Sequence, residues 1–266
     1  MMDVSTEAST KAGQVVLITG GAKGVGKGIS EAFLKAGAQV VVCGRSTPGS
    51  LPEVAGNAAI FLAADVRKTD HVDNLFTEIL QRFGKLDVLV NNAGGSPYCL
   101  ASDASPSLNE KIIALNLTAP LLLATKANQI MQQQPGGGVV LSIASVSALR
   151  PSPGTAVYGA AKAGILSLTQ SLAIEWAPKV RVAAVSAGLV KTENAHLHYG
   201  DADGIASVAQ TIPSGRLAEP EDIGNACVFL ASAGASYITG SNLVVHGGGE
   251  KPAFLDAATA NRNGEA

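Results

Sequence analysis

A tyrosine and a lysine, Tyr158 and Lys162, stand four residues apart in a segment of helical composition, which places both side chains on one helix face. Free tyrosine titrates at about pH 10, but a neighbouring ammonium stabilises the phenolate and lowers that pKa. Ser145 lies thirteen residues before Tyr158, at the end of a predicted strand, where its hydroxyl could hold a carbonyl oxygen. These residue types indicate acid–base chemistry on a carbonyl or an alcohol. The tyrosine–lysine spacing by itself also arises by chance in many helices.

A glycine-rich segment, TGGAKGVG at residues 19–26, directly follows the first apolar run and leads into a predicted helix. Backbone N–H groups and the helix dipole make such a turn an anion site, and glycine allows a pyrophosphate to approach closely. The spacing differs from the usual G-x-G-x-x-G pattern, so an ordinary strand-to-helix turn is the alternative. The position after the first strand favours dinucleotide binding. The residues predicted to bind it here are Gly20, Lys23, Gly24, Val25 and Gly26.

The end of the second predicted strand carries Arg45 and Ser46 and no acidic residue. NAD-binding units place an acid there, which binds the ribose hydroxyls. The guanidinium of Arg45 matches phosphate oxygens, and Lys23 adds a second positive charge, so this pattern favours NADP(H) over NAD(H). The alternative is that both cations are ordinary solvated side chains. We predict that Arg45 and Ser46 are cofactor-binding residues.

Short β-branched runs alternate with longer segments rich in Ala and Leu along the whole chain. Nearly continuous apolar runs are typical of parallel strands buried on both faces, and right-handed crossovers place helices on both sides of such a sheet. The pattern predicts an α/β fold with a single Rossmann-like, doubly wound parallel sheet of about seven strands. The predicted strands are 14–19, 39–43, 59–63, 86–90, 138–143, 180–185 and 242–246. The predicted helices are 26–36, 69–83, 107–133, 155–177 and 220–231.

The composition restricts the class of protein. Of the 266 residues, 47% are hydrophobic and 15% are charged, which excludes intrinsic disorder over most of the chain. The formal net charge is −2 and no Lys/Arg cluster is present, so we expect no nucleic-acid partner. No apolar run suits a membrane span or a signal peptide, and the three cysteines form no CxxC pair. These features predict a cytoplasmic protein without a disulfide framework.

No linker rich in Pro, Gly or Ser divides the chain. We therefore expect a flexible leader over residues 1–13, one Rossmann-fold domain over 14–250 and a C-terminal tail over 251–266. Two histidines, His196 and His198, are close in sequence, but no Cys, Asp or Glu lies at a ligand spacing. We interpret them as part of a loop, and we predict no metal site.

The glycine pattern, the segment NNAG at residues 91–94, Ser145 and the tyrosine–lysine pair together resemble the short-chain dehydrogenase/reductase family. The likeness extends over residues 14–249. It implies a seven-stranded Rossmann sheet and assembly as a homotetramer or homodimer. The implied reaction is hydride exchange between NADP(H) and a small-molecule carbonyl or secondary alcohol.

The resemblance also implies roles for individual residues. Tyr158 would be the general acid in reduction and the general base in oxidation, while Lys162 would lower its pKa and hold the nicotinamide ribose. Ser145 would orient the carbonyl, and Asn116 would support a water that leads to the lysine. The other implied cofactor-binding residues are Asp65 and Val66 at the adenine, Asn92 and Ala93 at its ribose, and Gly94, Gly188, Val190 and Thr192.

The sequence departs from the family pattern at two places. Ala187 stands where the family usually has a proline beside the nicotinamide, which puts the local rigidity in question. His246 replaces an aspartate in a glycine-rich segment near the C-terminus, where no loss of chemistry follows. Residues 188–214 form a long segment beside the site, and the resemblance implies that it is the substrate lid.

Several alternatives compete with the main interpretation. The segments IPSGR at 212–216 and EPEDI at 219–223 resemble the 3-oxoacyl-carrier-protein reductase-like group, which many other dehydrogenases share, so the substrate stays open. A catalytically silent dinucleotide-binding sensor would lack Tyr158 or Lys162, and both are present. An epimerase or dehydratase of the extended branch would need a larger C-terminal domain. A hydrolase would need a G-x-S-x-G elbow, and the sequence has none.

Overall fold

The computed structural model describes residues 13–258, and its centre is a sheet of seven parallel strands. These strands are β1 (Val15–Thr19), β2 (Gln39–Gly44), β5 (Ile60–Ala63), β6 (Val88–Asn91), β7 (Gly138–Ser145), β8 (Val180–Ala187) and β9 (Asn242–Val245). Their order across the sheet is β5-β2-β1-β6-β7-β8-β9. The strand order reverses between β1 and β6, and in such sheets this switch point is where ligands bind. The predicted doubly wound α/β sheet is confirmed.

Helices cover both faces of the sheet. They are α1 (Gly24–Lys35), α2 (Thr69–Phe83), α3 (Pro106–Ile113), α4 (Ala119–Met131), α5 (Ala156–Trp176), α6 (His196–Tyr199), α7 (Ala202–Gln210), α8 (Pro220–Ala231) and α9 (Ala253–Ala257). Successive strand residues point to opposite faces, so Leu17 and Ile18 belong to different core clusters. Ile18 packs in a cluster with Phe33 of α1 and Ile223 of α8, while Leu17 shares its cluster with α2, α4 and α5.

The predicted helix over residues 107–133 is interrupted. A five-residue π-helix, Ala114–Thr118, separates α3 from α4. Pro120 has no N–H to donate to the carbonyl of Asn116, so the regular helical ladder cannot continue unchanged through this turn. The Asn116 side chain donates a 2.9 Å hydrogen bond to the carbonyl of Ile112 one turn earlier. The wider turn presents Asn116 toward the edge of the sheet where the strands end.

Two further regions differ from the sequence prediction. A short antiparallel hairpin of β3 (Glu53–Val54) and β4 (Asn57–Ala58) precedes β5 and was not predicted. The segment expected to be a lid loop contains the short helices α6 and α7, the second of which is capped by Asp201. His196 lies in α6, and within residues 13–258 no group of three or more His, Cys, Asp and Glu could hold a metal ion. Within the same residues, no helix is long and apolar enough to cross a bilayer.

The leader and the tail are covered only in part. Residues 1–12 and 259–266, most of the predicted leader and half of the predicted tail, lie outside the described residues. Of the predicted tail, residues 253–257 form α9, which carries the exposed side chain of Phe254. The predicted division of the chain at residues 13 and 250 stays a prediction.

Candidate active site

The candidate site lies at the edge of the sheet where the parallel strands end. Thr19 ends β1, Asn91 ends β6, Ser145 ends β7 and Ala187 ends β8. Ser145 pairs with Ala187 across the last register position of β7 and β8. The alanine continues the strand here, whereas a proline would remove the N–H that a ladder needs. The strand-end residues that we predicted to take part in the chemistry therefore lie along one edge of the sheet.

Ser145 and Tyr158 are close enough to affect each other's chemistry. Tyr158 lies in the first turn of α5. Burial raises the pKa of Tyr158, and the nearby Ser145 hydroxyl opposes that rise. Ser145 accepts a 3.1 Å hydrogen bond from the backbone N–H of Ser147, which orients its hydroxyl. Because its pKa is raised, the Tyr158 phenol stays protonated at neutral pH.

Lys162 is buried beneath Tyr158. The residue is 4% exposed, and its Nζ donates a 2.8 Å hydrogen bond to the carbonyl of Ile143 in β7. Burial lowers the pKa of Lys162 to about 8, because removal from water disfavours the charged form. The Nζ atom lies 5.5 Å from the centre of the Tyr158 ring, within the range in which a cation and an aromatic ring attract. The Lys162 ammonium is therefore near enough to interact electrostatically with negative charge on Tyr158.

Asn116 is fully buried and anchors the loop after β6. Its carboxamide oxygen accepts from the N–H of Gly95, and its amide nitrogen donates to the Gly95 carbonyl, both at 2.9 Å. A Cβ atom at Gly94 would lie 2.7 Å from Asn116 Oδ1 and 3.2 Å from Lys162 Nζ. Only glycine therefore fits between the side chains of Asn116 and Lys162. These two side chains approach the same point behind Tyr158.

The glycine turn is tied to the end of β6. The Oγ1 atom of Thr19 accepts hydrogen bonds from the N–H groups of Asn92 and Ala93 at 3.0 and 2.9 Å. Asn92 donates in return to the carbonyl of Thr19 at 2.9 Å. A Cβ atom on Gly26 would lie 2.2 Å from the carbonyl oxygen of Gly20, so the turn closes only with glycine. A glycine turn at a helix start, such as this cradle at the start of α1, offers backbone N–H groups of the kind that bind phosphates.

The opposite end of the cradle carries cations. Arg45 follows β2 directly, and its exposed side chain is close enough to Asp65 to help lower the pKa of that carboxyl. Both oxygens of Asp65 are bound by Arg67, at 2.9 Å to Nε and 2.6 Å to Nη2. This hydrogen-bonded pair is the main reason why the pKa of Asp65 falls to about 2. The carboxylate that we expected at the adenine is thus engaged by an arginine that sequence analysis missed.

The remaining predicted residues lie around these clusters. Val25 and Val66 pack against the core beside the cradle, while Lys23 and Ser46 have exposed side chains. Gly188 donates a 2.9 Å hydrogen bond to the carbonyl of Val245, which holds the start of the lid on β9.

The lid returns to the glycine turn. Val190 forms a parallel bridge with Ala218, which fixes the first part of the segment. A Cβ atom on Gly24 would lie 3.7 Å from Thr192 Cγ2, so the predicted threonine faces the turn.

Glu193 is a second residue that sequence analysis missed. Its Oε1 accepts a 3.1 Å hydrogen bond from the backbone N–H of Gly24, the first residue of α1. The Glu193 carboxylate thus accepts a hydrogen bond from an N–H group in the turn where we expect a pyrophosphate to bind. The contact joins residues 169 positions apart, so no local pattern could have revealed it.

A cleft of about 280 Å³ opens between the segments that follow β7, β8 and β9, and Val146, the residue after Ser145, lines it. The apolar residues of its lining include Leu149, Leu189 and Ile212. The polar residues of its lining are Arg150, His246 and Glu250. This volume is close to the lower end of the range for small-molecule sites, which suits a small substrate.

Comparisons with known proteins agree with this geometry. Residues 20–250 match a family model described as enoyl-(acyl carrier protein) reductase, which covers most of the chain. An uncharacterized short-chain type dehydrogenase/reductase of Sinorhizobium fredii, y4vI, is 37% identical over 242 residues. That alignment covers 89% of this chain but only 43% of the longer relative. The chain belongs to the short-chain dehydrogenase/reductase family.

Relatives of full length support the same assignment. L-rhamnose 1-dehydrogenase (NAD(P)(+)) of Azotobacter vinelandii is 34% identical, over 88% of this chain and 96% of its own length. The ligand-free structure of Thermoplasma acidophilum aldohexose dehydrogenase superposes with a TM-score of 0.82 at 30% identity, covering 89% of this chain and 93% of that one. As a short-chain dehydrogenase/reductase, the chain is an oxidoreductase of alcohol or carbonyl groups and uses a nicotinamide cofactor, NAD(P).

Proposed function

We propose that the chain is an NADP(H)-dependent oxidoreductase that interconverts a small carbonyl compound and a secondary alcohol, with Tyr158 as the proton donor or acceptor. The observation that carries this proposal is the position of the Lys162 ammonium, buried 5.5 Å from the centre of the Tyr158 ring and hydrogen-bonded to β7, the strand that ends at Ser145. The cofactor, when bound, supplies the hydride in reduction and accepts it in oxidation.

Each side chain then has a specific task. In reduction, the Tyr158 hydroxyl donates its proton to the carbonyl oxygen and becomes a phenolate. The Ser145 hydroxyl has a single proton, which it would donate to the substrate carbonyl oxygen, while its oxygen accepts from the N–H of Ser147. The Lys162 ammonium stabilises the phenolate, and Asn116 holds the backbone of Gly95 so that the space behind the tyrosine keeps its shape.

The first test is a turnover assay. Oxidation of NADPH is followed with acetoacetyl thioester, small ketones, sugars and steroids as substrates. Turnover of the thioester alone would support the narrower proposal of a 3-oxoacyl-carrier-protein reductase. A chain that binds the cofactor but converts none of these compounds would contradict the proposed function and favour a silent dinucleotide-binding protein.

The preference for NADP(H) rests on charge at the adenosine end of the cradle. Arg45 after β2 and Lys23 in the glycine turn both have exposed side chains, and Arg67 forms an ion pair with Asp65, whose pKa Arg45 also lowers. A 2′-phosphate would therefore meet guanidinium and ammonium donors without a competing free carboxylate. Ser46 directly follows Arg45 and would add a hydroxyl donor.

We predict that Arg45→Ala lowers kcat/KM for NADPH about 10- to 100-fold, because hydrogen bonds to charged groups contribute about 1.5–3 kcal/mol. The value for NADH should change little, since NADH lacks the 2′-phosphate. Steady-state kinetics with both cofactors measures this ratio. Arg82→Ala is the matched control, because Arg82 pairs with Glu78 on the surface of α2. Equal losses with NADPH and NADH in Arg45→Ala would contradict the assignment.

A second prediction concerns Glu193. Its carboxylate and a bound pyrophosphate would share the start of α1, and like charges about 4 Å apart repel by about 1 kcal/mol in water. We expect Glu193→Gln to lower the Kd for NADPH about fivefold, measured by cofactor fluorescence. The gain should shrink as salt is raised, because ions screen exposed charges. Glu175→Gln, on the exposed face of α5, should leave the Kd unchanged. Weaker binding in Glu193→Gln would show that the carboxylate helps to hold the cofactor.

Assembly and location stay predictions. The homotetramer or homodimer implied by the family resemblance is tested by sedimentation of the purified chain. Cytoplasmic location is tested by fractionation of the source cells.

A further inference from the structure

An ion pair joins two residues that line the cleft described above. Nη2 of Arg150 lies 2.6 Å from Oε1 of Glu250, and both side chains line the cleft. Arg150 belongs to the segment after β7, and Glu250 belongs to the segment after β9. The pair is roughly one-third exposed, at 39% and 33%. A substrate that enters the cleft therefore meets the N–H donors of Arg150 and the carboxylate acceptor of Glu250 at the same place.

Arg150 and Glu250, together the polar wall, line the cleft with the apolar residues Leu149, Leu189 and Ile212. The lining also includes Val146, the residue after Ser145, so the polar wall shares its cleft with the end of β7. Burial raises the pKa of Tyr199 in α6, the negative charge of Glu250 raises it further, and the positive charge of Arg150 opposes the rise.

We propose that this polar wall selects cyclic polyhydroxylated substrates, of the aldose or polyol class, by hydrogen bonds to hydroxyls next to the reacting carbon. The inference rests on the proposed function and specifies its substrate class. A hydroxyl group both donates and accepts, so neighbouring hydroxyls can satisfy Arg150 N–H groups and Glu250 oxygens together.

Other substrate classes fit the wall less well. Glu250 neutralises Arg150, so the pair offers no net positive charge to a phosphate or carboxylate. An apolar acyl chain would cover both charges without replacing their bonds to water, which is costly. The apolar side chains that line the same cleft can contact the ring carbons of a cyclic substrate, and a mostly apolar lining with a few polar groups is typical of small-molecule pockets.

The test compares substrates of equal ring size. Oxidation of a panel of aldohexopyranoses is measured with NADP⁺ beside cyclohexanol, which carries one hydroxyl. We expect kcat/KM for the best aldohexose to exceed that for cyclohexanol at least a hundredfold. Glu250→Gln and Arg150→Met should each lower this ratio about tenfold, mainly through KM of the sugar. The double variant should lose about as much as either single one, because the pair acts as a unit. Glu78→Gln, which removes the surface pair with Arg82, should leave the ratio unchanged.

Each outcome of these measurements either supports or overturns the inferred substrate class. Cyclohexanol or acetoacetyl thioester as the best substrate would overturn the inference while the proposed oxidoreductase stands. Equal losses with sugar and cyclohexanol in the variants would also overturn it. If no compound is converted, the proposed function fails, and calorimetric titration of NADP⁺-loaded chain with the aldohexoses tests the wall directly. Sugar binding that is lost in Glu250→Gln would then support the inference, and absence of sugar binding to the unchanged chain would overturn it.

Discussion

Replacing Tyr158 by phenylalanine is expected to lower kcat for carbonyl reduction by about 10²–10⁴-fold, the range that a positioned general acid contributes. Phenylalanine keeps the ring beside Lys162, so the packing of α5 on β7 should survive. What is lost is the phenol hydroxyl, and with it the proton for the substrate oxygen. The measurement is steady-state NADPH oxidation together with the Kd for NADPH, which we expect to change less than threefold.

Tyr237→Phe is the matched control, because Tyr237 is fully exposed after α8. It removes the same atom at a distance from the site, and its turnover should equal that of the unchanged chain. Retained turnover in Tyr158→Phe at one-third of the normal rate or more would show that another group delivers the proton. A loss of cofactor binding as large as the loss of kcat would instead assign Tyr158 a binding role only.

Replacing Lys162 by methionine is expected to lower kcat/KM for alcohol oxidation at pH 7 by about 10- to 1,000-fold. An opposite charge nearby shifts a pKa by about 1–3 units, so loss of the ammonium raises the Tyr158 pKa and reduces the phenolate that accepts the proton. Reduction uses the protonated tyrosine and should fall less. This difference between directions separates an electrostatic role from a general loss of structure.

The pH dependence of alcohol oxidation follows from the same interaction between the Lys162 ammonium and the Tyr158 phenolate. Oxidation needs the phenolate, so its rate rises with pH, and in Lys162→Met the rise should begin at a higher pH. The pKa of Lys162 itself is lowered to about 8 by burial, so its charge is present at pH 7 and is lost as the pH rises through that value. The advantage of the unchanged chain over the variant should therefore shrink above about pH 8.

Two further variants make the lysine test specific. Lys162→Arg keeps a positive charge and should recover part of the rate, although the larger group must fit a buried position. Lys111→Met, exposed on α3, should change nothing. An unshifted pH profile in Lys162→Met, with folding confirmed by circular dichroism, would contradict the role assigned to the ammonium.

Much of the fold was predictable because its elements depend on local pattern. The run VVLIT of β1 is buried along its whole length, and the predicted strand 14–19 differs from it by one residue. The predicted helix 69–83 coincides with α2, whose end is marked by the left-handed Gly84. The π-helix around Asn116 was missed, because a proline and a side-chain hydrogen bond together, not periodicity, produce the wider turn.

The site, like the fold, contains features that local sequence pattern predicts and features that it does not. Tyr158 and Lys162 were predictable as neighbours because helix geometry places residues four apart on one face. Ser145 was predictable because parallel strands end along one edge of a sheet. The pairing of Asp65 with Arg67 had a local signal, an acid and an arginine two residues apart, but the sequence could not say which partner the carboxylate binds.

The sequence by itself thus determined the family, the sheet and the types of chemical group at its edge, since each depends on spacing within one or two elements. Only the tertiary structure decided that Glu193 reaches the glycine turn and that Arg150 meets Glu250 across the cleft, contacts that join residues 169 and 100 positions apart. Such contacts depend on how separate crossovers pack, and hydrophobic periodicity carries no information about which surface side chains then face one another. For this protein, those distant contacts bear on cofactor affinity and substrate choice, whereas the proton chemistry was already visible in the chain.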